Sequence, residues 1–251
     1  MIDFNIIFFP LADMASAFWS STLPGKVIVL ILFFGSAAAW TIMWTKGVQL
    51  KSAGTKTQFF LKDFRKENNL IGIISKSKKY TGTPLNLIYL EGCSVLIQEL
   101  NSQGVSKDDI LSGEHNAEDY VLSSNQMETI RSVVDRNIAD QALELEDQMG
   151  LLATAVSAAP FLGLLGTVWG VMDAFSGMAD SGSAALSAVA PGISGALLTT
   201  IIGLIVALPS MIGYNLLSSK IRNIAVQMDN FGQEFMSKVH NNYSVEVDQN
   251  G

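Results

Sequence analysis

The stretch PFLGLLGTVWGVMDAF, Pro160 to Phe175, is apolar enough to be part of a membrane span. Yet it holds Gly163, Gly166, Gly170, Thr167 and Asp173. Leu, Ile or Val would fit lipid at least as well and form a firmer helix than glycine does. Its surroundings decide the class. Between Leu151 and Ser219 the only Asp, Glu, Lys, Arg or His side chains are Asp173 and Asp180. The whole chain is 16 % charged, against about a quarter for a typical soluble domain. A membrane composition is concentrated in part of the chain, with a soluble one elsewhere.

Working outward, three spans emerge. VIVLILFFGSAAAWTIMWT, Val27 to Thr45, has 19 uncharged residues, about 28 Å as a helix against a hydrocarbon core of about 30 Å. Lys26 and Lys46 bracket it, with Trp40 and Trp44 near one end, where interfacial aromatics are common. The second span covers Ser157 to Met178 and the third Val189 to Ser210. Basic residues set the orientation. Residues 1–25 and the link between spans two and three have none; residues 46–136 have twelve, and Lys220, Arg222 and Lys238 follow span three.

The expected fold is therefore an all-α integral membrane protein with three transmembrane helices, N-terminus out and C-terminus in. Its parts are an outer segment at 1–25, a first transmembrane helix at 26–46 and a cytoplasmic helical loop at 47–156. A second transmembrane helix at 157–178, an outer link at 179–188, a third transmembrane helix at 189–210 and a cytoplasmic helix and tail at 211–251 complete it. Long helices are expected to carry spans two and three into the cytoplasm. No Lys or Arg precedes Lys26, so the basic region of a cleavable signal peptide is missing.

Within the loop, PLNLIYLEGCSVLIQEL puts Leu85, Ile88, Tyr89, Gly92, Val95, Leu96 and Glu99 at helical spacing, mostly apolar on one face. A second stripe, Met127, Ile130, Val134, Ile138, Leu145 and Met149, has Glu128, Arg131, Asp135 and Arg136 on its wet side. It runs toward span two with only Pro160 to interrupt it, and a bend is expected there. SKSKKYTGTP and NSQGVSKDD read as turns.

Several classes lose support. The net charge is −7 and no basic cluster interleaves with aromatics, which argues against nucleic acid. Cys93 is the single cysteine, which excludes an intrachain disulfide framework and a CxxC metal site; it reads as a small buried hydrophobe. His115 and His240 have no metal-ligand spacing and read as surface residues. No cofactor or metal is expected. An intramembrane enzyme would need a nucleophile with a base or paired carboxylates at depth, and neither pattern is present.

On span two, Gly163, Gly166, Thr167, Gly170, Ala174 and Gly177 fall within roughly a 100° arc. On span three, Gly192, Gly195, Ala196, Thr199, Gly203, Ala207, Ser210 and Gly213 share a face. Lipid supplies no hydrophobic force between helices, so close backbone approach is what joins them. These residues read as packing surfaces. Thr167 and Thr200 lie at about the same mid-membrane depth. Each hydroxyl either bonds its own i−4 carbonyl or lines a narrow polar path. Asp173, about two turns outward, either reaches the interface or marks the mouth of such a path or a partner contact. No titrating side chain sits at the centre, so any proton relay needs an acid from another chain.

The blocks LEDQMGLLATAVSAAPFLGLLGTVWGVMDAF and VAPGISGALLTTIIGLIVALPSMIGYN resemble the TolQ/ExbB family of bacterial inner-membrane proteins, distantly related to the MotA flagellar stator. The specific match covers roughly 136–219, and the short N-terminal segment looks more like the TolQ branch than like ExbB members with long outer extensions. The resemblance implies a proton-channel subunit that forms a ring of five around a pair of single-span TolR- or ExbD-like proteins. Their membrane aspartate would supply the missing acid. Thr167 in GTVWG and Thr200 match the family's pore threonines, and Pro160 matches the proline opening the span-two core. Two departures stand out: Gly195 occupies the position of a frequent family glutamate, and Asp173 replaces histidine or asparagine. The implied function is a TolQ-like motor subunit driven by proton-motive force. An ExbB-like energiser of outer-membrane uptake and a non-conducting scaffold are the alternatives, and sodium coupling has no clear site.

Overall fold

The computed structural model describes residues 15–19, 21–67, 69–105, 120–181 and 186–243; His115 and most of the N-terminal segment lie outside them. Every regular element among the described residues is helical. The helices are α1 (Leu23–Lys66), α2 (Pro84–Ser102), α3 (Ser124–Glu146), α4 (Met149–Ser181) and α5 (Leu186–Tyr243), with a 3-10 helix at Ile74–Tyr80. Among these residues three helical stretches are long and apolar enough to cross a membrane. At 44 and 58 residues, α1 and α5 measure about 66 and 87 Å, far more than a bilayer core requires. The chain divides into two compact units, residues 1–45 with 148–217, and residues 46–147 with 218–251.

The second unit is a helical bundle around an aromatic core. Phe60 and Phe64 on α1, Tyr80, Tyr89 on α2, and Phe231 and Phe235 on α5 are all buried. Phe64 and Phe231 meet edge to face with centroids 5.0 Å apart, and Phe60 meets Tyr80 at 5.4 Å. Such pairs add about 0.5–1.5 kcal/mol each beyond the area they bury. The first loop stripe is the buried side of α2, through Leu85, Ile88, Tyr89, Gly92 and Leu96. Gly92 is where α2 admits its neighbours: a Cβ there would stand 2.9 Å from the Phe235 ring and 3.1 Å from Val134. Glu128, Arg131, Asp135 and Arg136 on α3 are exposed.

Two lysines close helix ends. Nζ of Lys238 donates to the carbonyls of Phe64 (2.7 Å) and Glu67 (3.1 Å), and lies 4.2 Å over the Phe64 ring. It thereby serves carbonyls that the end of α1 leaves without a helical donor. Burial lowers its pKa, against the opposing pull of Glu234 and Glu67. Lys46, expected as a membrane flank, is only 5 % exposed; its Nζ donates to the carbonyls of Glu144 (3.2 Å) and Leu145 (3.4 Å) at the end of α3.

Lys46 explains one departure from expectation. The α3 stripe does not run on to Pro160. It stops at Glu146, and Gln148 takes a left-handed φ of 64° before α4 begins. Lys46 satisfies the carbonyls exposed by that stop, whereas Pro160 lies inside a continuous α4. A second departure is local. SKSKKYTGTP begins not as an open turn but as the 3-10 helix, through i→i+3 bonds such as Lys76 N to Ile73 O at 2.9 Å. Tyr80 is buried there and its hydroxyl donates to Asp63. The turn proper follows, with Gly82 at φ 88°. At the other turn Gly104 ends the α2 region at φ 95°.

Cys93 is fully buried, and burial pushes its thiol up to about 12. Native protein at pH 8 will therefore resist iodoacetamide and alkylate only on unfolding, which a mass shift per chain measures. Gly92→Leu drives a side chain into Phe235. It will lower the stability of this unit by about 1–3 kcal/mol and expose Cys93 to the same reagent under conditions where the parent is protected.

Candidate functional site

The unit rich in apolar exposed residues contains the first part of α1, α4 and the first part of α5. Its helix contact is built on missing side chains. A Cβ on Gly163 would lie 2.9 Å from the Thr199 carbonyl oxygen, and one on Gly203 would lie 2.6 Å from that of Ala159. One on Gly170 would stand 2.8 Å from the Ala196 Cβ, and one on Gly166 would collide with the Thr199 side chain. Gly192 faces Ala174. The backbones of α4 and α5 touch where a larger residue would hold them apart.

Not every glycine on these faces serves that contact. Gly195 lies against Ala17 and Ser21, and Gly213 against Met43 of α1. Gly177 has nothing within 4 Å of where its Cβ would be. The face of α5 that looked uniform is divided between α4, the 15–21 segment and α1. Buried Ile28, Leu32, Ala159, Val206 and Ala207 form an apolar cluster beside it.

The close approach gathers three hydroxyls. Thr167 Oγ1 is 3.2 Å from the Gly163 carbonyl and 3.0 Å from that of Ala196 on α5, and it contacts the Thr200 hydroxyl. Thr200 Oγ1 reaches across to the Gly163 carbonyl at 3.2 Å. Thr199 Oγ1 is 2.9 Å from Gly163 O and 2.7 Å from Ala196 O. Thr199 is fully buried, while Thr167 and Thr200 are half-buried.

Counting donors defines the chemistry. Each of the two carbonyls already accepts its own helix's N–H, from Thr167 and Thr200 respectively, and retains one lone pair. Three hydroxyl hydrogens therefore compete for two carbonyl positions, and one must go to another hydroxyl. In one arrangement Thr199 donates to Ala196 O, Thr200 to Gly163 O, and Thr167 to Thr200. In another Thr199 donates to Gly163 O, Thr167 to Ala196 O, and Thr200 to Thr167. The site can pass hydrogen bonds along without holding charge.

Thr199 was legible only as part of the small face. The notch opposite it, made by Gly163 and Gly166, was the signal that a hydroxyl there would be enclosed. Asp173 is half-buried farther along α4, and among the described residues no hydrogen bond or ion pair engages it. Pro160 lies about one turn before Gly163. Among the described residues no group of three or more His, Cys, Asp or Glu is placed to hold a metal.

This helix pair lies inside the region that matches the MotA/TolQ/ExbB proton channel family, residues 103–230. The chain belongs to that family. A Tol-Pal system protein TolQ from Pseudomonas aeruginosa is 26 % identical over 230 residues, covering 91 % of this chain and 93 % of that one. A biopolymer transport protein ExbB from Pseudomonas putida is 28 % identical over 205 residues, 81 % of this chain and 56 % of the other. A TolQ from Haemophilus influenzae reaches 44 % identity over 96 residues, 38 % of this chain and 42 % of that one. Family membership and the three apolar helices make the chain a multi-pass protein of the bacterial inner membrane.

The contact geometry separates glycines that look alike in sequence. Gly203→Leu will push α5 off the Ala159 carbonyl and lower the thermal unfolding temperature of detergent-solubilised protein by several degrees. Gly177→Leu, which meets nothing nearby, will leave it within a degree of the parent.

Proposed function

We propose that this chain is the ring-forming subunit of an inner-membrane motor driven by proton-motive force, of the TolQ kind. Five copies would surround a pair of single-span TolR- or ExbD-like partners, with the N-terminus periplasmic and the loop and tail cytoplasmic. The observation that carries the reading is the Thr167–Thr199–Thr200 cluster: a chain of exchangeable hydroxyls at a helix contact with no titrating residue between Leu151 and Asp173. Such a cluster relays or orders, and an acid from outside must carry the proton. A membrane aspartate on the partner fits that requirement. The energy is sufficient, since one charge crossing 100 mV releases about 2.3 kcal/mol.

In this reading Thr167 and Thr200 line the proton path, and Thr199 holds the two carbonyls against them. Asp173, about 9 Å beyond Thr167 along α4, stands at the mouth of the path or against the partner. Gly163, Gly166, Gly170, Gly192 and Gly203 keep α4 and α5 together, Gly195 seats the segment before α1, and Pro160 opens the core of the span. Correspondence along nearly the whole length of a TolQ supports the TolQ role. An ExbB-like role in uptake is the second reading, favoured by a slightly higher identity to an ExbB over a shorter share of it.

The test is to express the chain with its partner in cells lacking their own copy and to measure envelope function with and without a protonophore. Thr167→Val and Thr200→Val will each reduce the gradient-dependent output at least tenfold while native mass spectrometry still finds the assembled complex. Full output with both threonines removed would falsify the path-lining roles. A stable assembly indifferent to the gradient and free of any single-span partner would make the chain a scaffold.

A further inference from the structure

Charge in the second unit is sorted by helix. Residues 46–66 of α1 carry six Lys or Arg and one acid, Asp63. Residues 124–147, α3 and its end, carry six Asp or Glu and two Arg. On α1, Val48, Lys51, Thr55, Phe59, Lys62 and Lys66 fall within an arc of about 80°, and all six are exposed. Val48 and Phe59 are 58 % and 60 % exposed. On α3, Leu143 is 68 % exposed, flanked by exposed Asp140, Glu146 and Asp147. Among the described residues, the ion pairs are Arg65–Glu234, Lys76–Glu67 and Lys79–Asp63. None uses Lys51, Lys62, Lys66, Asp140, Glu146 or Asp147.

These are two faces of one chain that match in charge, each with an uncovered apolar residue, and neither covers the other. Their levels also agree. Lys46 bonds the carbonyls of Glu144 and Leu145, so Lys46 on α1 is level with the C-terminal end of α3. α3 runs opposite to α5, with Leu122 beside Tyr243 and Val134 beside Gly232. α1 runs with α5, through Phe60 and Phe64 on Phe231 and Lys238 on the Phe64 carbonyl. Two, five and sixteen residues beyond the Lys46 contact, Val48, Lys51 and Lys62 therefore stand level with Leu143, Asp140 and exposed Glu128. A ring about an axis along the helices joins surfaces of equal level, one face of each copy to the opposite face of the next.

We propose that the basic face of α1 (Val48, Lys51, Phe59, Lys62) docks on the acidic face of α3 (Glu128, Asp140, Leu143) of a second copy of this chain. The inference rests on the ring reading above and names the surface that closes it. Charge pairs fix the orientation and disfavour like-with-like contacts, and the apolar residues supply the area removed from water. At the rim such pairs weaken with salt.

Charge reversal tests it. Lys51→Glu with Lys62→Glu, or Asp140→Lys with Glu128→Lys, will each lower the oligomeric fraction at least tenfold by native mass spectrometry in low salt. All four changes together will restore it to within about threefold of the parent, which a folding defect would not allow. A second measurement does not depend on charge. In a Cys93→Ser background, Val48→Cys with Leu143→Cys will give a ladder of covalent multimers with a short bismaleimide, and either cysteine alone will give no ladder. Oligomers that survive both reversals and yield no ladder overturn the docking surface and leave the ring standing. So does an intact ring whose basic-face variant loses only its binding to phosphatidylglycerol vesicles. A parent chain that is monomeric when gently extracted overturns the ring reading itself.

Discussion

A lipid bilayer gives two apolar helices no reason to prefer each other over acyl chains, so contact must come from how closely the backbones can approach. Gly163 and Gly203 set that approach. Each leaves room where a single methyl carbon would press on a carbonyl oxygen of the facing helix. The rest of the site depends on it: Thr167 on α4 reaches Ala196 on α5 only because nothing larger than hydrogen stands between the helices at Gly163, Gly166 and Gly170. Spread the pair by the width of a side chain, and each threonine returns to its own helix.

The second unit is held by ordinary means. Rings from α1, α2 and α5 interlock around Phe60, Phe64, Tyr89 and Phe231, and lysines answer the carbonyls at helix ends. The two units thus use opposite solutions to the same packing problem. One removes side chains to bring polar atoms together; the other fills space with the largest side chains available.

The helical class, the three apolar stretches and the stripes on α2 and α3 were legible because each depends on local periodicity and hydropathy. The packing glycines on α4 and α5 were visible as faces, but their division among three neighbours was not, since Gly195 and Gly213 have the same local signature as Gly203. The stop at Gln148 was not legible because Lys46, which answers the carbonyls there, is about a hundred positions away in the chain. Thr199 lies on a packing face by its spacing, and only the facing helix makes it the enclosed centre of the hydroxyl cluster. The 3-10 helix at Ile74–Tyr80 is equally non-local, since Tyr80 is anchored by Asp63 and the aromatic core.

Because three hydroxyl hydrogens share two carbonyl positions, the threonine cluster has at least two ways to be fully satisfied. They differ only by rotations about C–O bonds, with every heavy atom in place. In one the O–H vectors of Thr167 and Thr200 run one way, and in another they run back. The cluster is therefore a small polarisable element in a low-dielectric setting, where a nearby charge acts with much more force than in water. In the proposed motor, a partner carboxylate on one side would favour one arrangement and its protonated form the other. The local field can thus be reversed at the cost of turning hydrogens, without the desolvation penalty that a fixed charge at that depth would impose.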